Sequence, residues 1–249
     1  MRAAVVIPAR YASSRLPGKP ILERVKAETG RYLIEHVYDR AAAAEAISRV
    51  IVATDDERIA RVVEDGGGEA RMTSSEHRCG TDRVAEVAED LNEDIVVNVQ
   101  GDEPEITPEQ ISQVVRLLES SPQAAASTLA IPIDSEEQWK DPNAVKVVLD
   151  VNNNALYFSR SPLPYPGEAT PADSPAMPLL HIGMYGYRRD FLLRFAEMPA
   201  APIEQAEQLE QLRILWHGHT IQVGVTEHRS VGIDTPHDLE RWLQSRAKN

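Results

Sequence analysis

Ala3 to Pro8 reads Ala-Ala-Val-Val-Ile-Pro, an apolar, β-branched run that predicts a buried strand and stops at a proline. The loop it releases carries Arg10, Arg15 and Lys19 among the small residues Ala12, Ser13, Ser14 and Gly18. The first acidic residue is Glu23, so residues 1–22 hold four cations and no anion in a chain of formal net charge −13. Cations gathered where a buried strand ends point to a phosphate site, because small residues let backbone N–H groups approach anionic oxygens. The Gly-x-x-x-x-Gly-Lys-Ser/Thr spacing of a P-loop is absent.

The strand is the first of several. Arg49–Thr54, Glu69–Met72 and Asp94–Val99 read as further short strands, separated by helical patterns at Tyr32–Ala46, Glu57–Glu64 and Asp82–Leu91. Gly66-Gly67-Gly68 stops the second helix, and Thr107-Pro108 opens another with a cap residue and a proline at the first helical position. Such alternation predicts an α/β fold, a mostly parallel sheet with helices on both faces. Ligands of such sheets bind beyond the carboxyl ends of the strands. The cationic loop, residues 74–81 and Gln100-Gly101-Asp102 all fall at those ends.

The second half changes character. Val145–Asp150 and Ala155–Ser159 flank the turn-rich Val151-Asn152-Asn153-Asn154 and predict a hairpin. Residues 161–178 hold six prolines and read as an extended loop. Leu180–Tyr187 reads as a strand, Asp190–Ala196 and Glu204–Leu215 as helices, and Thr235-Pro236 as the start of a last helix. These segments predict a smaller mixed-sheet lobe over 125–230, interleaved with the first part.

At 249 residues and 42% hydrophobic content, the chain fits one large α/β domain. The single cysteine, Cys79, excludes an internal disulfide and argues against a thiolate zinc site. No signal pattern or apolar run near ~18 residues stands in the sequence, so the expectation is a cytoplasmic protein with no membrane partner. The acidic balance argues against nucleic acid, while a small anionic substrate fits the local cations.

Five segments, taken in order, carry a resemblance over nearly the whole chain. Pro8–Pro20 resembles the nucleotide loop of sugar-nucleotide cytidylyltransferases, and Val97–Pro104 their metal-binding strand end. Tyr157–Arg160, His181–Arg188 and Leu209–Arg213 narrow the match. With Gly232–Pro236 they resemble the 3-deoxy-manno-octulosonate cytidylyltransferase (CMP-Kdo synthetase) family. The resemblance implies a nucleotide-diphospho-sugar transferase fold, transfer of CMP from CTP to the acidic keto sugar Kdo, Mg²⁺ as cofactor, a homodimer, and a product used in lipopolysaccharide assembly. It divides the chain into a nucleotide-binding half (1–124), a sugar-binding and dimerisation lobe (125–230) and a C-terminal metal-ligand loop and helix (231–249).

Residue by residue, it implies that Arg10, Arg15, Lys19 and Asp102 are catalytic. CTP would meet Ala9, Arg10, Arg15, Lys19, Thr73, Gly80, Thr81, Arg83 and Gln100. Asp102 and Asp234 would hold Mg²⁺, which prefers hard carboxylate oxygens completed by phosphate and water. The sugar would meet Gln100, Arg160, His181, Tyr185, Glu210 and Gln211. Arg83 reads equally as a phosphate partner or a helix-surface salt-bridge residue.

The chain departs from the family pattern at Arg78, at Cys79, where a serine is more usual, and over Arg24–Tyr32, which is longer than common. A thiol is the poorer hydrogen-bond partner, which leaves no side-chain role for Cys79 beyond that of a small loop residue. The acceptor stays open among Kdo, 8-amino-Kdo and other acidic keto sugars. A non-catalytic nucleotide sensor on the same fold is the reading from another class, and Lys19, Asp102 and Asp234 occurring together argue against it.

Overall fold

The computed structural model describes residues 1–12, 16–77, 79–165, 176, 178–230 and 232–246. The chain forms two compact units, Met1–Ser112 with Arg229–Asn249, and Gln113–His228.

The first unit opens on β1 (Ala3–Ala9), whose residues Ala3 to Ile7 are wholly buried. A 3-10 turn (Lys19–Ile21) and helices α1 (Glu23–Thr29) and α2 (Leu33–Ala42) lead to β2 (Ile47–Thr54). Then come α3 (Glu57–Asp65), β3 (Glu69–Met72), α4 (Gly80–Glu89), β4 (Ile95–Asn98) and α5 (Pro108–Ser120). All four strands are parallel, in the order β3-β2-β1-β4, with Val5 opposite both Val50 and Val97. Helices cover this sheet with apolar stripes at helical spacing, Leu33, Ile34, Val37 and Ala41 from α2 and Val84, Ala85, Val87 and Ala88 from α4. The chain adds β2 on one side of β1 and β4 on the other. The connections therefore leave in opposite directions and open a crevice beyond the carboxyl ends of β1 and β4.

In the second unit β5 (Ala124–Pro132) runs antiparallel to β8 (Leu179–Arg188) and parallel to β9 (Thr220–Val225). Between β5 and β8 lie α6 (Glu136–Lys140) and the expected hairpin of β6 (Lys146–Leu149) and β7 (Ala155–Ser159), with β6 also pairing with β8. The hairpin turn is held by Asp150, whose carboxylate accepts the N–H groups of Asn152 and Asn154, both at 2.8 Å. α7 (Arg189–Glu197), α8 (Pro202–Glu207) and α9 (Leu212–Trp216) precede β9. The chain then returns to the first unit for α10 (Pro236–Arg246), whose Leu239, Trp242 and Leu243 pack with Val25, Leu33 and Ile233.

The parallel α/β expectation holds, with three local corrections. The long helix starting near Tyr32 stops at Ala42 rather than Ala46, and the segment before it forms a helix of its own, α1, ended by Gly30 at φ 81°. Its Arg24–Glu28 pair, one helical turn apart at 2.8 Å, supports that turn. The expected helix Glu204–Leu215 is two short ones, broken at Gln208, which adopts a left-handed φ of 53°. Most of the proline-rich stretch, 166–175 and 177, lies outside the described residues.

Candidate active site

The crevice of the first unit is a cavity of about 380 Å³ lined by Ala9, Arg10, Lys19, Gly80, Arg83, Gln100, Asp102 and Asp234, together with neighbouring prolines and small residues. Its cationic loop is closed by the Gly18 N–H, which donates to the Tyr11 carbonyl at 3.0 Å. Gly18 has φ 68°, and a Cβ there would come within 3.1 Å of the Tyr11 ring, so only glycine fits without strain. The Arg58 guanidinium covers that ring at 3.4 Å.

Lys19 follows directly and is 9% exposed. Its Nζ donates to Asp102 Oδ2 at 2.6 Å and to Asp234 Oδ1 at 3.1 Å. Two carboxylates, 132 residues apart in sequence, thus converge on one ammonium. Asp102 leaves β4 through Gly101, whose backbone passes so close to β1 that a Cβ would meet the Pro8 carbonyl at 3.0 Å. The Asp102 carbonyl accepts the Ile233 N–H at 2.9 Å, fixing the neighbour of Asp234. Asp234 itself precedes a reciprocal cap. Thr235 N–H donates to Asp238 Oδ2 at 2.9 Å, and Asp238 N–H to Thr235 Oγ1 at 3.2 Å. An Arg24–Glu240 ion pair ties α10 to α1. Beside this group, burial and the charges of Asp102 and Asp234 push the Glu103 carboxyl up to about 7, although the Ser230 hydroxyl donates to it at 3.1 Å.

The other nucleotide candidates divide. Arg83 is 1% exposed and pairs with Asp55 at 2.9 Å while also donating to the Thr73 hydroxyl. It is therefore a buried group in the cavity wall and not a helix-surface residue. Thr73 donates in turn to the Thr54 carbonyl at 3.1 Å, and neither Thr73 nor Thr81 lines the cavity. Gln100 lines the cavity, with Nε2 3.4 Å from Asn98 Oδ1. Arg15 and Arg78 lie outside the described residues. Cys79 has a role that the sequence hid: it is the N-cap of α4, its Sγ accepting the Asp82 N–H at 3.4 Å.

In the second unit, β5 and β8 lose register between Thr128 and Leu129, which pair with Tyr185 and Ile182. Gly183 and Met184 are looped out between them, and the rings of His181 and Tyr185 stand 5.2 Å apart. The Thr128 hydroxyl donates to the Met184 carbonyl at 2.7 Å and so accepts from His181 Nε2 at 3.0 Å. This leaves Nδ1 of His181 as an acceptor. Burial lowers the His181 pKa to about 3, so its ring is neutral. The Tyr185 hydroxyl is buried with no hydrogen-bond partner among the described residues. Burial, Tyr187 and Glu210 all disfavour its ionisation. An orphaned buried hydroxyl costs ~1–3 kcal/mol, which a polar ligand would recover.

Gln211 is 7% exposed at the start of α9, and Glu210 precedes it. The Arg160 guanidinium donates to the carbonyls of Glu207 at 2.8 Å, Pro142 at 3.0 Å and Gln208 at 3.4 Å. Sequence reasoning missed Glu207 and Lys146, both joined to Arg160. Their partners are distant in sequence, and neither residue type stands out on an ordinary strand or helix.

A parallel β3-β2-β1-β4 sheet with Arg10, Lys19 and two converging carboxylates at its switch point has the arrangement expected of a nucleotidyltransferase. A family model described as Cytidylyltransferase matches residues 4–221. The chain is 49% identical over 246 residues to the 3-deoxy-manno-octulosonate cytidylyltransferase of Syntrophotalea carbinolica, covering 97% of each protein. It is 45% identical over 251 residues to that of Geobacter sulfurreducens, covering 98% and 99%. A solved CMP:2-keto-3-deoxy-manno-octonic acid synthetase complexed with CTP matches at TM-score 0.91 and 41% identity, over 100% and 99% of the two chains. The fold alone is shared with 4-diphosphocytidyl-2C-methyl-D-erythritol synthase of Anaerococcus prevotii, at TM-score 0.63 and 14% identity over 100% and 96%. The chain belongs to the 3-deoxy-manno-octulosonate cytidylyltransferase family.

Proposed function

We propose that the protein transfers CMP from CTP to 3-deoxy-D-manno-octulosonate, giving CMP-Kdo and pyrophosphate, with CTP held by the first unit and the acidic sugar by the second. The observation that carries this is the convergence of Arg10, Lys19, Asp102 and Asp234 on one cavity, in a chain 41% identical along its length to a synthetase solved with CTP. The anomeric hydroxyl of the sugar attacks the α-phosphorus in line and pyrophosphate leaves. Such transfer needs positioning and charge stabilisation rather than a covalent nucleophile.

Arg10 and Lys19, with Arg15 from the same loop, neutralise the triphosphate and the departing pyrophosphate. Ala9 and Gly80, which line the cavity, offer backbone groups to the base, while Thr73 and Asp55 steady Arg83 in the wall. Asp102 and Asp234 fit Mg²⁺, since both hard oxygens already reach one common cation, the Lys19 ammonium. When bound, that ion supplies charge neutralisation at the phosphate oxygens.

Gln100, in the cavity wall, is the amide for sugar or ribose. On the second unit, His181, Tyr185, Glu210 and Gln211 supply hydrogen bonds to the sugar hydroxyls, and Arg160 supplies the cation that its carboxylate needs. The unpartnered Tyr185 hydroxyl supports this assignment. A homodimer is the assembly that the family resemblance implies. The reaction fits the cytoplasm, where CTP is made, and its product serves lipopolysaccharide assembly. No helix among the described residues is long and apolar enough to cross a membrane.

The test is pyrophosphate release from each of the four nucleoside triphosphates against a panel of acidic sugars, with and without Mg²⁺. Activity is expected only when CTP, a Kdo-type sugar and the metal are all present. Equal rates with ATP or GTP, or none with any acidic sugar, would sink the assignment.

A further inference from the structure

Three ionisable groups meet at the end of β7 in the second unit. Glu207, the last residue of α8, uses both carboxylate oxygens: Oε1 accepts the Ser159 hydroxyl at 2.6 Å and Oε2 accepts the Arg160 N–H at 2.9 Å. The Glu207 carbonyl accepts Arg160 Nε–H at 2.8 Å. Lys146, with no exposed surface, donates from Nζ to the carbonyls of Arg160 and Asp141, both at 2.8 Å. Arg160 is thus held through its backbone N–H, its carbonyl and its guanidinium together. The same guanidinium holds the carbonyl of left-handed Gln208, the residue that turns the chain toward Glu210 and Gln211.

We infer that Glu207 is a positioning residue for the acidic sugar, locking Arg160 and the 207–211 turn in one arrangement without touching the sugar itself. The inference rests on the second unit being the sugar-binding one. The Asp141 and Glu207 carboxylates both act on Lys146, so the ionised groups here are close to balance and what the cluster supplies is direction. A free guanidinium in water would not hold its direction toward an anionic substrate. Charge-assisted acceptors are the stronger kind, so a carboxylate here fixes Arg160 better than a neutral amide of the same shape.

This separates two roles that usually move together. Glu207→Gln removes a negative charge, so electrostatics alone would tighten binding of an anionic sugar. If Glu207 positions, the same change loosens Arg160 and the turn, and the sugar binds less well. Initial rates of pyrophosphate release, with Kdo and CTP varied in turn, read the two apart. The expected result is a KM for Kdo raised about tenfold, with the KM for CTP within about twofold and kcat changed less than the Kdo KM. Ser159→Ala, which removes the hydroxyl donor to Oε1, should raise the Kdo KM about two- to threefold.

Glu204→Gln is the structural control. Glu204 sits on the same helix and pairs with Arg213 at 2.8 Å, so its loss should lower the melting temperature and leave the Kdo KM unchanged. An unchanged or lowered Kdo KM in Glu207→Gln overturns the proposal, as does an equal rise for Kdo and CTP. Should Glu207→Gln fail to fold, Ser159→Ala decides by the same criterion. A wild-type enzyme that saturates with no acidic keto sugar removes the sugar-binding reading, and this inference falls with it. That failure is distinct, because it appears before any variant is compared.

Discussion

Lys19 answers to two carboxylates at once, at 2.6 and 3.1 Å, and this makes its removal informative. Lys19→Ala should keep the fold and lower turnover at saturating CTP by about 10²-fold or more, the scale of losing a preorganised charge-stabilising group. Near-full turnover in that variant would make the basic loop a surface feature. Asp102→Asn and Asp234→Asn should each raise the Mg²⁺ concentration needed for half-maximal rate, because each replaces a charged oxygen by a neutral one. Calorimetry with CTP and Mg²⁺ checks this, and unchanged metal dependence in both would leave the ion held by the nucleotide alone. Lys19 and Asp102 stood out by residue type and position, a cation after one strand and a carboxylate after another, whereas Asp234 came only with the family resemblance; the structure brings all three to one cavity. Thr73 and Arg83 were not legible, because their hydroxyl and guanidinium are taken up by Thr54 and Asp55, a contact that no spacing reveals.

Helix ends explain most of what the sequence hid among the elements. Thr107-Pro108 and Thr235-Pro236 carry their caps in plain view, and α5 and α10 begin there. The break between α8 and α9 left no such mark: residues 204–215 contain no glycine or proline, and Gln208 turns left-handed under tertiary restraint. β5 was unread because its Ala-Ala-Ala-Ser opening has weak strand propensity, and its place between two neighbours makes it a strand. Cys79 is a cap of an uncommon kind. Cys79→Ser should strengthen the start of α4, where Ser is among the preferred N-caps, and raise the melting temperature by roughly 1–3 °C, corresponding to ~0.5–1 kcal/mol. Differential scanning calorimetry measures it, and a lower melting temperature would show that the thiol packs better than it bonds.

Across the whole molecule, acid should cost stability before the ordinary carboxylates titrate. His181 and His36 have pKa values lowered to about 3 and about 4, chiefly by burial, and unfolding lets both take up a proton below about 6.5. Glu103 works the other way: raised to about 7 in the fold, it releases a proton on unfolding at pH values above its ordinary 4.5. Between about pH 6.5 and 4.5 unfolding takes up protons at His181, His36 and His219, whose pKa burial also lowers, and releases one at Glu103; uptake wins, so stability falls as pH drops. Urea unfolding across that window checks the slope, and His181→Asn should flatten it. The parallel sheet was legible from alternation alone, yet the return of the last helix to the first unit was not, since nothing in residues 229–246 names its partner. That return sets a clock on the enzyme. A ribosome delivers Lys19 and Asp102 early, then spends more than half the chain on other residues before Asp234 emerges. The nascent cavity therefore holds one carboxylate at Lys19 until the whole second unit has been made, and the second arrives in a single step.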